Sequence, residues 1–476
     1  MSQDSSSSRT QDQTLAAGGD ASQHNETDGA TLSNNFEQQF RQSFGVLAGY
    51  LPKEGQQLGF WLSELARRSQ EVRAADPAME YQPSVAAMEA MLAAHPELYQ
   101  QVQEMVAQGL KVHEQYEPDM KYGIRTVEDM LDALNYIIQR APAYDPDKPH
   151  YAFPVSGLFV YMMYTPAGTE VFTNTLFNDM LRDVLDAWCA YLDSPASLDV
   201  ITTAPDGWLS PASYAHNNLD QFVTQADREK DPVHWGFTSF NDFFHRQIIP
   251  ICRPLDGPDN PRVVVSANDG TVYRIARQVK REDDICTKSQ NYSLVDMLDD
   301  SPYVDEFVGG DVLQSFLSGN DYHRWTAPIA GEVIEARVIP GFMFSELLSE
   351  GFDPSAGTQS QGYQANVNTR GLVIIRSPDP ALGLVCVIPI GITEISSVDI
   401  QVDVGQQIEK GQELGWFSYG GSSMCLVFQP GAIAQFTVPN PLPHNDSDNG
   451  PFIRARAQIA IAAQNATKDS KQSGAT

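Results

Sequence analysis

The N-terminal part of the chain places its apolar residues three and four positions apart. Residues 59–65 and 84–92 show this spacing clearly, and residues 175–191 show it over a longer stretch. A period of 3.6 residues puts such side chains on one face of a helix, where they pack against a core. We therefore predict a helical N-terminal domain over residues 36–150, followed over residues 151–235 by a connector of helices and loops.

From about Val263 the pattern changes to short runs of β-branched residues bounded by Gly, Asn, Asp and Pro. Such runs predict the strands of a compact β-rich domain. They lie at residues 263–265, 271–276, 331–339, 372–375 and 384–390. The fold class that follows is α+β, with the helical N-terminal domain preceding a β-rich domain over residues 236–460.

Two short segments of the β-rich region have the composition of hairpin turns. Asn268-Asp269-Gly270 separates the first two predicted strands, and Gly420-Gly421-Ser422-Ser423 separates apolar runs at 414–419 and 424–428. Both segments are rich in residues that adopt tight turns easily, so each predicts a hairpin. After Pro430 the sequence is polar, and we predict loops there.

Neither end of the chain has a globular pattern. Residues 1–35 are rich in Ser, Gln and Asp, without the apolar core or basic flank of a signal or transit peptide. We predict a disordered tail there and a flexible tail over residues 461–476. No apolar stretch approaches the length of a membrane-spanning helix, so we expect a cytoplasmic protein.

Charge and cysteine usage narrow the range of partners. The formal net charge of −30 repels nucleic acid and acidic lipid, so we expect no nucleic-acid partner and regard a membrane as an improbable one. The cysteines are far apart and form no Cys-x-x-Cys pair. They predict reduced thiols, with no disulfide and no metal site. They are Cys189, Cys252, Cys286, Cys386 and Cys425.

Seven segments of the C-terminal half follow one another in an order that resembles the phosphatidylserine decarboxylase family. Each segment is short, so the shared order carries the resemblance. It implies a pyruvoyl-dependent decarboxylase, that is, a carboxy-lyase made as a zymogen. The segments are 240–246 with Arg253-Pro254, 266–270, Lys288 with 292–294 and Gly309-Gly310, 321–324 with Pro328 and Gly331, 368–370, 405–411, and 420–423.

The resemblance implies that the chain cuts itself between Gly421 and Ser422. The Ser422 hydroxyl would attack the Gly421 carbonyl carbon, and Gly421 offers a turn and an unhindered carbonyl for that attack. Cleavage would yield a large β chain and a small α chain, which remain each other's partners. Ser422 would become a covalent pyruvoyl group that binds the substrate amine as a Schiff base, so neither pyridoxal phosphate nor a metal is expected.

The resemblance also implies an aspartate and a histidine beside the serine. Asp269 occupies the aspartate position for self-cleavage, and His323 is suited to orient the substrate and return a proton during decarboxylation. The family typically has a second histidine three residues later, where this chain has Thr326. Thr326 is no base at neutral pH. His323, His234, His245 or Asp269 would have to start self-cleavage in its place.

The N-terminal region resembles the helical domain of fungal soluble relatives, including L-tryptophan decarboxylases. With the negative charge, this favours a small water-soluble substrate, an aromatic L-amino acid with tryptophan first. Trp325, Phe342 and Phe344 would line its pocket, although core packing is an alternative role for them.

Two other functions stay open from the sequence. One is a phosphatidylserine decarboxylase that makes phosphatidylethanolamine and docks on membranes through its N-terminal helices. The other is an unprocessed, non-catalytic homologue, which the threonine at position 326 allows.

Overall fold

A computed structural model describes most of the chain after its N-terminal region. The predicted tail over residues 1–35 lies outside the described residues, as do Lys288 and Gly420. The described ranges are 55–145, 153–163, 165–222, 228–285, 291–319, 321–347, 360–394, 397–419, 421–441 and 450–464.

The N-terminal half is helical, which agrees with the apolar spacing of the sequence. Helix α4 begins with a capping box, because the Thr126 side chain accepts from the Asp129 backbone N–H and the Asp129 carboxylate accepts from the Thr126 N–H. The helices of this half are α1 (Gly55–Ala75), α2 (Pro83–Ala94), α3 (Pro96–Tyr116), α4 (Val127–Ile137), α5 (Pro154–Phe159), α6 (Pro166–Phe172), α7 (Thr175–Leu192), α8 (Pro211–His216) and α9 (Phe240–Phe244).

These helices share one apolar core, the helical core. It is built from residues such as Leu58, Met105, Leu134 and Phe177, all of which are fully buried. No helix within the described ranges is long and apolar enough to cross a membrane. The helical core also takes in Tyr322, Met343, Phe344 and Tyr419 from the C-terminal half, so it lies directly against the β-rich region.

The C-terminal half is built on strands, as predicted, and together with the helical half this gives the expected α+β fold. Three short helices accompany the strands: α10 (Leu294–Met297), α11 (Val304–Phe307) and α12 (Gln361–Val367). The strands are β1 (Val263–Val265), β2 (Gly270–Ala276), β3 (Asp311–Leu317), β4 (Arg324–Thr326), β5 (Gly331–Ile339), β6 (Arg370–Arg376), β7 (Leu384–Ile392), β8 (Val398–Ile400), β9 (Gln407–Ile408), β10 (Glu413–Phe417), β11 (Gly421–Phe428), β12 (Ile433–Phe436), β13 (Phe452–Ile453) and β14 (Gln458–Ala462).

Eight of the described strands form one antiparallel sheet in the order β13-β2-β3-β11-β7-β6-β5-β9. Two small sheets, β1-β14-β12 and β4-β10-β8, accompany it. Side chains of all three sheets, including Met424, Leu426 and Trp325, share the inter-sheet core. The other face of the large sheet, with Cys425 and Val427, packs against α10, α11 and α12 in a further apolar core.

Both predicted hairpins are wrong. Strand β1 pairs with β14 whereas β2 pairs with β3 and β13, and β10 pairs with β4 and β8 whereas β11 pairs with β3 and β7. The two turn-like segments therefore connect different sheets. The composition of a turn reflects only the conformational freedom of its own backbone. Which strands pair depends on the burial of their side chains against residues that are distant in the sequence.

The prediction of loops after Pro430 is also wrong. Strands β12, β13 and β14 lie in this region and pair with one another or with β1 and β2. Strand β14 ends at Ala462, so paired backbone extends into the range predicted for a flexible tail. These strands are short and alternate with polar residues, which hid them in the sequence. Residues 465–476 lie outside the described ranges.

Two helical glycines offer a matched test of the packing between α5 and α1. A methyl group on Gly157 would stand 1.8 Å from the Trp61 ring, whereas one on Gly59 would stand 3.5 Å from its nearest neighbour, which is ordinary contact. We expect Gly157→Ala to lower stability by about 1–3 kcal/mol through overpacking. Gly59→Ala should be neutral or raise stability by up to about 1 kcal/mol, because alanine favours helix. Urea unfolding followed by circular dichroism measures both, and equal effects would contradict this packing.

Candidate active site

The Gly421–Ser422 bond lies at the start of β11, inside the large sheet. Ser422 pairs with Leu317 of β3 on one side and with Gly391 of β7 on the other. Its side chain has no exposed surface. The bond is thus positioned by two neighbouring strands and not by a hairpin turn.

The two serines of β11 have opposite environments. Successive side chains in a strand point to opposite faces, so Ser422 shares the face of Met424, in the inter-sheet core, and Ser423 points to the α12 face. Ser423 Oγ lies 3.0 Å from Gln314 Nε2 and 2.9 Å from Gln361 Oε1. Ser422 Oγ has no hydrogen-bond partner among the described residues. A buried hydroxyl without a partner costs about 1–3 kcal/mol, and such groups in folded proteins call for an explanation such as a catalytic role.

The segment before the cleavage bond lies under aromatic side chains. The Tyr419 ring has its centroid 5.1 Å from those of Phe240 and Phe244, 5.6 Å from that of Trp188 and 5.8 Å from that of Phe153. Trp188 belongs to α7, Phe153 precedes α5, and the two other rings belong to α9. The helical half therefore covers the start of β11.

His323 lies beside this same segment. It precedes β4, and its carbonyl oxygen accepts from the Phe417 backbone N–H at 3.0 Å. Its ring lies 4.1 Å from the Phe244 ring, centroid to centroid, and is fully buried. Phe244 thus contacts both His323 and Tyr419. The structure brings the predicted histidine next to the chain that leads into Ser422.

The carboxylate of Asp269 is buried and forms an ion pair with Arg253. Its carboxylate accepts from Arg253 Nε at 2.8 and 3.1 Å, from Arg253 Nη2, and from the Ala455 backbone N–H at 2.8 Å. Thr271, two residues on, lies in β2 and is separated from Ser423 of β11 by β3, whose Phe316 pairs with both. The role of Asp269 in self-cleavage stays a prediction, and this buried ion pair with Arg253 would be part of it.

The position of the missing histidine is occupied by a structural residue. Thr326 is buried in β4, and its backbone N–H donates to the Ala267 carbonyl at 2.8 Å. The other histidines considered from the sequence are engaged elsewhere. His234 Nδ1 lies 2.7 Å from the Ile201 carbonyl oxygen, and the His245 ring packs at a tilt against the Trp416 ring, with 5.3 Å between centroids. Burial and the neighbouring Arg324 lower the pKa of His245.

The three aromatic residues predicted to line a substrate pocket do not come together. Trp325 is fully buried in the inter-sheet core and packs against Gly415, while Phe344 is buried in the helical core against Phe159. Phe342 is half-buried at the edge of a separate cleft. Trp325 and Phe344 have the contacts of core residues, which is the alternative role that the sequence left open for them. An aromatic residue in a sequence does not reveal which core receives it.

The sequence interpretation missed two contributors to this site. Arg253 and Phe244 were noticed only as parts of family-like segments, yet Arg253 forms an ion pair with Asp269 and Phe244 contacts both His323 and Tyr419. The only sequence feature that could have identified these two residues as contributors to the site was their position inside those segments.

Comparisons with known proteins identify the family of the chain. A family model described as phosphatidylserine decarboxylase matches residues 240–441, and a second model of that description matches residues 82–217. The chain is 35% identical over 302 residues to "Decarboxylase iboD" of Amanita muscaria, covering 60% of this chain and 86% of that protein. It is 30% identical over 356 residues to "L-tryptophan decarboxylase" of Psilocybe cubensis, covering 69% and 80%. It is 32% identical over 197 residues to "Phosphatidylserine decarboxylase proenzyme" of Chlamydia muridarum, covering 41% and 62%.

The contrast between the two serines gives the first test of the site. We expect Ser422→Ala to block self-cleavage, because it removes the attacking oxygen. Ser423→Ala should still be cleaved, because it removes hydrogen bonds with Gln314, Gln361 and the Ser315 carbonyl and leaves the Ser422 hydroxyl in place. Intact mass should show fragments of 421 and 55 residues for Ser423→Ala and the uncut chain for Ser422→Ala. Cleavage of Ser422→Ala at the normal rate would exclude Ser422 as the nucleophile.

The Arg253–Asp269 pair gives a second test. Arg253→Met leaves a buried carboxylate without its cation, so we expect a stability loss of about 3–5 kcal/mol and slower cleavage. In Arg253→Met/Asp269→Asn both charges are absent, so stability should partly return while cleavage stays slow. Thermal unfolding and timed intact-mass measurements separate the two effects. Normal cleavage in the double variant would remove this pair from the processing machinery.

Proposed function

The chain belongs to the phosphatidylserine decarboxylase family and is a pyruvoyl-dependent carboxy-lyase, and we propose that its substrate is a small aromatic L-amino acid, with L-tryptophan the first candidate. The products would be carbon dioxide and the corresponding amine. The names of two relatives, L-tryptophan decarboxylases of Psilocybe cubensis and Psilocybe cyanescens, support this substrate class at 30% and 29% identity.

The observation that carries the proposal is the aromatic cover over the start of β11. The rings of Phe153, Trp188, Phe240 and Phe244 surround Tyr419, three residues before Ser422. Such a covered, aromatic environment favours a planar apolar side chain. A lipid headgroup would have to leave its bilayer to pass beneath the helical half. The net charge of −30 also opposes docking on acidic phospholipid.

In the proposed self-cleavage, Ser422 Oγ attacks the carbonyl carbon of Gly421. The new carbon–oxygen bond forms as the carbon–nitrogen bond breaks, a nearby base takes the hydroxyl proton, and a proton passes to the Ser422 nitrogen. Elimination of the resulting ester would release the Gly421 carboxylate and leave a dehydroalanine at residue 422, which water would hydrolyse to the pyruvoyl ketone with loss of ammonia. His323 is the base candidate that lies beside the preceding segment. Asp269, held by Arg253, would fix the backbone of β13–β14 through Ala455. The unpartnered Ser422 Oγ fits this reaction, because no hydrogen bond has to be broken before it attacks.

The pyruvoyl group at residue 422 supplies an electrophilic ketone that joins the substrate amine and draws electrons from its α-carbon. The chain's own residues would do the rest. His323 would hold a proton for the α-carbon once carbon dioxide has left. The buried surroundings of Ser422 would exclude water from that carbon.

The two cleavage products should stay together after processing. The C-terminal fragment contributes β11, β12, β13 and β14. Of these, β11 pairs with β3 and β7, β13 with β2 and β14 with β1 of the larger fragment, while β12 pairs with β14. Separation would expose the centre of the large sheet. The partners of each cleavage fragment are thus the other fragment and the amino-acid substrate. Reduced cysteines fit a cytoplasmic location for the enzyme.

A decarboxylation screen tests the substrate. Processed protein should release carbon dioxide from L-tryptophan faster than from the other amino acids, with a weaker reaction on L-phenylalanine or L-tyrosine. Phosphatidylserine in mixed liposomes is the comparison substrate, and Ser422→Ala is the blank. Turnover of the lipid without turnover of any amino acid would show that the enzyme is a phosphatidylserine decarboxylase. A cleaved chain inactive on every substrate, lipid included, would contradict the proposal.

A further inference from the structure

Glu394 is a buried acid that the sequence interpretation did not consider. Strand β7 ends at Ile392, and Thr393 then adopts a left-handed backbone conformation with φ of 56°. That turn directs the next residue out of the sheet. Only 3% of the surface of Glu394 is exposed.

Glu394 lies close to the cleavage bond. Ile392 pairs with Gly421, and Gly391 pairs with Ser422. Paired Cα atoms are about 5 Å apart, and two residues of chain span at most about 7 Å. The Cα atom of Glu394 is therefore within about 12 Å of that of Gly421.

The hydrogen bonds of Glu394 all come from neutral groups. Ser156 of α5 donates its backbone N–H and its hydroxyl to the two carboxylate oxygens, each at 2.5 Å, and the Thr393 hydroxyl donates at 2.8 Å. Within the described residues, no Lys, Arg or His forms an ion pair with it. By contrast, the buried Asp269 has Arg253 and Asp132 has Arg73. A carboxylate accepts about four hydrogen bonds, so one position is left.

A second acceptor lies on the same side of the bond. Asn368 is fully buried, and its Nδ2 donates to the carbonyl of Gly391 at 2.9 Å, beside Ser422. Its Oδ1 has no partner among the described residues. Buried polar atoms are rarely left unsatisfied in folded proteins. The β7 side of the bond thus offers acceptors without a matching cation.

We propose that Glu394 is the group that binds the ammonium of the substrate, with Asn368 Oδ1 as a second acceptor. This rests on the proposed function, because an amino acid brings its ammonium to the ketone at residue 422. A buried carboxylate with only neutral partners gains most from a cation that enters with the ligand.

The same residue is suited to prepare the amine for reaction. Burial raises the pKa of Glu394, although the bonds from Ser156 and Thr393 oppose this. A carboxylate with a raised pKa takes a proton more readily. Transfer of one proton from the ammonium to the carboxylate leaves a neutral amine with a free electron pair and a neutral carboxyl group.

Glu394 could instead serve only to join α5 to β7, so the test must separate charge from packing. All variants are made in the full-length chain and purified after processing, and borohydride then reduces the ketone at residue 422 to an alcohol, so that no Schiff base forms and binding alone is measured. Calorimetry compares tryptamine with tryptophol, which has a hydroxyl in place of the ammonium. A second pair, phenethylamine and 2-phenylethanol, repeats the comparison with another ring.

Glu394→Gln keeps the size of the side chain and removes its charge. We expect it to weaken tryptamine binding at least about ten-fold and to change tryptophol binding less than about two-fold. Ser156→Ala is the matched control, because it removes a hydrogen bond to Glu394 but leaves the charge. It should keep the preference for the amine. Glu394→Asp, which retracts the carboxylate, should give an intermediate preference, and it also serves if Glu394→Gln fails to fold.

Equal weakening of both ligands by Glu394→Gln would assign the residue to packing and overturn the proposal. So would a parent protein that binds amines no better than alcohols, or a Glu394→Asp variant that binds both as the parent does. The decarboxylation screen on the wild-type chain reports separately on the proposed function. A chain active on tryptophan with no loss of amine preference in Glu394→Gln would refute the ammonium site alone.

Discussion

Backbone pairing of β11 with β3 and β7 is the constraint on which the rest of the site depends. A strand held on both sides keeps the Gly421–Ser422 bond at a fixed place. It also assigns the two serines to opposite faces, one hydrogen-bonded through Gln314 and Gln361 and the other without a described partner. The sheet therefore fixes the position of the Gly421–Ser422 bond and the directions of the two serine side chains, which a flexible turn would not fix.

The helical half contributes side chains that contact the segments around the Gly421–Ser422 bond. Its aromatic side chains cover Tyr419, and Ser156 of α5 bonds to Glu394 beyond the end of β7. The two halves therefore both contribute residues to the candidate site.

Because the site is buried, each charge in it needs a partner or costs free energy. Asp269 is neutralised by Arg253, whereas Glu394 has only neutral donors among the described residues. In a dry environment that difference separates a structural ion pair from a group ready to receive a cation.

Much of the site could be predicted because its chemistry is local in the sequence. Gly421 and Ser422 are adjacent, and the order of the short segments around Asp269 and His323 points to the family without any coordinates. The aromatic pocket could not be predicted in the same way. Trp325 and Phe344 enter two different cores, and Tyr419 is covered by rings from α7 and α9 that are distant in sequence. Glu394 stands in an unremarkable stretch after a strand, and only its contact with Ser156, 238 positions away, distinguishes it.

The sequence by itself determined the α+β class, the helical first half and most strands of the large sheet, and it predicted the pair of residues at the cleavage bond. These follow from periodicity and from neighbouring residues, which act over a few positions. The tertiary structure alone decided strand partners, so that both apparent hairpins became connections between sheets and β12–β14 joined the core. It also decided which buried carboxylates form an ion pair and which aromatic rings contact one another. Those outcomes depend on contacts between residues far apart in the chain, and the free energy of such contacts is set by burial, which no local pattern records.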